Sequence, residues 1–61
     1  MTNEAAFKLA ADITIATIQH MADEAALSFD ATLDAILAGG NARRRFDAFL
    51  HTAIDEVQAA A

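Results

Sequence analysis

The chain reads as an all-α protein: a small three-helix unit, packed as a homodimeric helical bundle. Three observations predict this. Seventeen of its 61 residues are alanine and none is proline, a composition that favours helix over any other state. Larger apolar residues recur at steps of three and four along most of the length, the helical period. The two glycines, Gly39 and Gly40, are adjacent, so the chain is punctuated strongly only once. At this length the sequence holds one domain, residues 1–61.

The first helix is expected over about 3–26, with Thr2 or Asn3 as its cap. At roughly 100° per residue, Phe7, Leu9, Ile13, Thr14, Ile15, Thr17, Ile18 and Met21 fall on one broad arc with Ala10, Ala11 and Ala22. Lys8, Asp12, Gln19 and Asp23 fill the narrow remainder, and Glu4, Lys8 and Asp12 form a charge ladder at four-residue steps. So wide an arc covers more than one neighbour. It suits a helix with its own chain on one flank and another chain on the other. Ile13, Thr14, Thr17, Ile18 and Met21 are therefore candidate interaction residues. Positions 12–18 are β-branched and alternate briefly as a strand would. A strand there needs a second such run to pair with, and there is none.

Ser28 is placed to cap a short second helix over 29–38, with Asp30 in its first turn where the helix dipole favours an acid. Phe29, Leu33, Ile36 and Leu37 form one apolar stripe. Gly39 ends the helix because it adopts positive φ without a Cβ penalty. Asn41 is expected to cap a third helix over about 42–58. Ala42, Phe46, Phe49, Leu50, Ala53 and Ile54 give that helix the clearest period in the chain, and residues 58–61 are expected to fray.

Composition sets the function classes. Without cysteine there is no disulfide framework, thiolate metal site or cysteine nucleophile. Only 17 apolar side chains are larger than alanine, few for a fold with no covalent or metal staple, and association with a second chain is the remaining device. The net charge of −5 repels phosphate backbones and anionic lipid, so neither nucleic acid nor membrane is an expected partner. The start Met1-Thr2-Asn3-Glu4 has no secretory pattern, and no run approaches the ~20 apolar residues of a membrane span. The expected compartment is the cytoplasm.

Few residues carry chemistry. Arg43, Arg44 and Arg45 hold three of the four basic charges in the first turn of the third helix, where the dipole disfavours cations. A glycine turn followed by a basic helix start resembles the layout of a helix-turn-helix reader. The simpler reading is a solvated patch pairing with Asp47, or with acids on a partner or on the protein's own first helix. His20 stands three and four residues before Asp23 and Glu24, and His51 four from Asp47 and Asp55, spacings that bundle metal sites use. Each supplies too few ligands alone, so a metal or small-ligand site needs a dimer seam. Thr14 and Thr17 are expected to bond to the carbonyl one turn back. Phe7, Phe29, Phe46 and Phe49 are expected to be core. Ser28, the one serine, is a cap with no triad around it.

The sequence therefore points to a non-enzymatic interaction and oligomerisation module, with no cofactor or metal. Its expected partners are itself and a further protein. The alternative is a small DNA-binding regulator using Arg43, Arg44 and Arg45.

Overall fold

The computed structural model describes residues 2–60. It contains three helices: α1 Asn3–Ala25, α2 Phe29–Ala38 and α3 Asn41–Ala60. Thr2 caps α1, its hydroxyl accepting from the Ala5 amide at 3.1 Å. Ser28 caps α2 in the same way through Ala31, also at 3.1 Å. Each cap satisfies one of the amides that a helix start leaves without a partner.

The chain leaves α1 through a Schellman turn. The Leu27 amide donates to the Ala22 carbonyl at 2.9 Å and the Ala26 amide to Asp23 at 3.3 Å. Ala26 takes the left-handed conformation that this turn requires, φ 55° and ψ 40°, where glycine is the usual occupant. At the end of α2 the two glycines do this work: Gly39 has φ 90° and Gly40 φ 75°. Asn41 does not cap α3 as expected. It is the first helical residue, and its Oδ1 accepts from the Arg44 guanidinium at 3.2 Å. The helix runs to Ala60, and Ala61, the last residue of the end expected to fray, lies outside the described residues.

The three helices pack around a small core of Ile18, Met21 and Ile36, flanked by Phe29, Leu33, Ala42, Phe46 and Phe49. The start of α3 lies beside the end of α1 and the end of α3 beside the start of α1, so these two helices are antiparallel. The buried residues of α1 are Thr17, Ile18, Met21 and Ala22, all in its C-terminal half. Connectivity explains this. α2 starts at the turn that ends α1, and the chain that leaves it returns Arg45 to Glu24, so both ends of α2 sit at the C-terminal end of α1 and it covers only that part of its neighbour.

Two expectations about apolar residues change accordingly. Phe7 is not core: it is 78% exposed, because it lies beyond the reach of α2. Leu37 is 70% exposed although Ile36 beside it is 3% exposed. One residue's step rotates a side chain by about 100°, which carries Leu37 off the narrow seam of so short a helix.

Candidate interaction surface

The face that is buried in the second half of α1 continues through the first half with Phe7 and Ala10 exposed and Ala11 and Thr14 half-buried. Phe7, Ala10, Ala11 and Thr14 stand at i, i+3, i+4 and i+7, the same side of the helix that Ile18 and Met21 present further along. Together with Ile15, 55% exposed, they line one shallow apolar depression. The patch contains no charged side chain. Its one polar side chain is internally satisfied, since the Thr14 hydroxyl donates to the Ala10 carbonyl at 2.8 Å. Ala10 and Ala11 at its centre project no more than a methyl group, which lets another helix approach closely.

The residues singled out from sequence divide between this patch and the core. Thr14 belongs to the patch. Thr17, Ile18 and Met21 are buried by the protein's own chain, and Thr17 donates to the Ile13 carbonyl at 2.8 Å. Ile13 is half-buried on the side of α1 that faces α3. Phe7 and Ile15 are the large exposed side chains of the surface. Periodicity placed Phe7 on the right arc but could not show that its arc outruns α2.

On the same seam, Ile13, Ala16, Thr17 and His20 of α1 face Phe49, Thr52, Ala53 and Glu56 of α3 across an open cleft of about 490 Å³. His20 lies at one end. Its Nε2 is 3.0 Å from Glu24 Oε1, and its ring meets Phe49 edge-on, with centroids 5.3 Å apart and planes at 84°. Arg45 completes the cluster, with Nη2 2.9 Å from Glu24 Oε2 and Cζ 5.8 Å from the Phe49 centroid.

The arginine triplet is thus divided among three partners: Arg43 pairs with Asp47 at 3.2 Å, Arg44 with Asn41, and Arg45 with Glu24. The antiparallel packing accounts for one of these cations, Arg45. The last turn of α1 has no basic residue of its own, and Arg45 brings a positive charge to that dipole-negative end. His51 approaches Asp55 at 3.8 Å, and its side chain is 82% exposed. Among the described residues no three His, Cys, Asp or Glu side chains gather as a metal site requires, and no helix is long and apolar enough to cross a membrane.

No protein-family model matches the chain, and neither curated proteins nor solved structures show a significant similarity to it.

Proposed function

We propose that the protein is a non-enzymatic helical interaction module whose working surface is the side of the N-terminal half of α1 that carries Phe7 and Ile15. The observation that carries this reading is the uncharged depression formed by Phe7, Ala10, Ala11, Thr14 and Ile15. It continues the core-facing side of α1, and its large side chains Phe7 and Ile15 are exposed. An apolar stripe at this spacing is what helix-in-groove and helix-on-helix recognition use. The arginines support a structural role more than a nucleic-acid contact, since each is already engaged within the chain. The two histidines likewise each face one carboxylate of their own helix at the surface.

Site-specific photo-crosslinking in cells tests the reading. A photoreactive phenylalanine analogue in place of Ile15 should capture a protein of defined mass, and Phe7→Glu should sharply lower the yield. The same analogue in place of Asp30, exposed on α2, should capture none. Absence of any adduct from position 15 would end this proposal.

A further inference from the structure

We infer that the occupant of the α1 surface is a second copy of this chain, seated about a two-fold axis that passes near Ala10 and Ala11. The inference rests on the interaction reading and names its partner. Three observations carry it. The first is area. The chain exposes 4484 Å², whereas a compact monomer of 6.4 kDa exposes about 3,800 Å². The excess of roughly 700 Å², summed over the whole surface, is of the order of the ~800 Å² that each partner contributes to a standard interface.

The second is shape. The radius of gyration is 12.4 Å with extents of 34 × 20 × 19 Å, against about 10.5 Å for a compact chain of this length. The excess length lies along α1 and α3, which run side by side, and the patch sits towards one end of that long axis. The third is the interior. Among the described residues no large side chain is fully buried, so the chain alone lacks the sealed core that a fold this small needs without a staple.

The patch is suited to pairing with itself. A two-fold contact places the same surface on both partners, and this surface is uncharged, so two chains of net charge −5 meet where repulsion is least. The small residues lie at its centre and the large ones, Phe7 and Ile15, towards its ends. Two antiparallel α1 helices would therefore approach closely at Ala10 and Ala11 and set each Phe7 beside the partner's Thr14. The second α1 would supply cover at the end of α1 that α2 does not reach.

Sedimentation equilibrium of the purified chain, from micromolar to millimolar, tests this. The expected result is a species of twice the chain mass that Phe7→Glu converts to monomer across the range, with its helical circular dichroism retained. The chain has no cysteine, so single introduced cysteines give a second measurement should that variant fail to fold. Ala10→Cys should oxidise to a linked dimer, and Ala25→Cys, at the far end of α1, should not. A wild-type chain of monomer mass at millimolar concentration overturns the inference. So does a dimer in which Ala10→Cys stays unlinked. A monomer that still gives a foreign adduct from position 15 would overturn self-pairing and leave the interaction reading intact.

Discussion

Arg45 and Glu24 meet at 2.9 Å across 21 residues of sequence, tying the second turn of α3 to the last turn of α1. The same carboxylate receives His20 through its other oxygen, and the guanidinium also lies over Phe49. The contact is at the surface, with both side chains about half exposed, so solvent screens it and its strength is modest. A double-mutant cycle of Arg45→Ala and Glu24→Gln, read by urea unfolding at fixed protein concentration, should give a coupling of about 0.5–1 kcal/mol. It should shrink in high salt. A coupling indistinguishable from zero at low salt would show that the pair does not fix the α1–α3 register.

Adjacent residues of α2 should respond very differently to truncation. Ile36 is 3% exposed at the centre of the core and Leu37 is 70% exposed. Ile36→Ala should cost about 2–4 kcal/mol, enough to unfold much of so small a domain at room temperature. Leu37→Gln should stay within about 0.5 kcal/mol of wild type. Thermal melts of the two variants decide it, and similar losses for both would mean that α2 packs through a different face.

The turn after α1 offers a stabilising change. Ala26 holds a left-handed conformation that costs a residue with a Cβ roughly 1–2 kcal/mol. Ala26→Gly removes that strain, while glycine gives back some of the gain through its freer unfolded chain. The net expectation is a rise of about 0.5–1 kcal/mol, measured as a higher urea midpoint. A lower midpoint would contradict the Schellman geometry.

The turn after α2 should show the opposite sign. Gly39 combines φ 90° with ψ −161°, a region essentially reserved for glycine. A Cβ there would meet no atom within 4 Å, so any cost of Gly39→Ala arises from the backbone alone. We expect a loss of about 1–3 kcal/mol, visible in the same denaturation experiment. A neutral result would place Gly39 in an ordinary conformation.

The Ser28 cap provides a quieter check on where α2 begins. Its hydroxyl accepts from the Ala31 amide and its carbonyl from the Thr32 amide and hydroxyl. Ser28→Ala should cost about 1 kcal/mol and Ser28→Gly only a few tenths. Equal losses would mean that the hydroxyl is not the capping group.

What was readable in the sequence was local. Ser28, Gly39 and the periods of the three helices act within one or two turns, and the helices form where those signals lie. The i−4 bonds of Thr14 and Thr17 were readable for the same reason. Arg43 with Asp47 is a one-turn pair and was visible, whereas Arg45 with Glu24 depends on the antiparallel register of helices far apart in the chain. A wheel assigns Phe7 and Leu37 to apolar arcs correctly, but it carries no information on how far a neighbouring helix reaches. The Ala26 turn carried no glycine to announce it. Asn41 had two competing partners, a backbone amide and Arg44, and composition does not choose between them.

Both ends of α2 are anchored at the same end of α1, by the Ala26 turn at its start and by the Arg45–Glu24 contact just after it. A chain that folds by clamping one end of its longest helix leaves the oily stripe at the other end facing outward, however well the clamp closes.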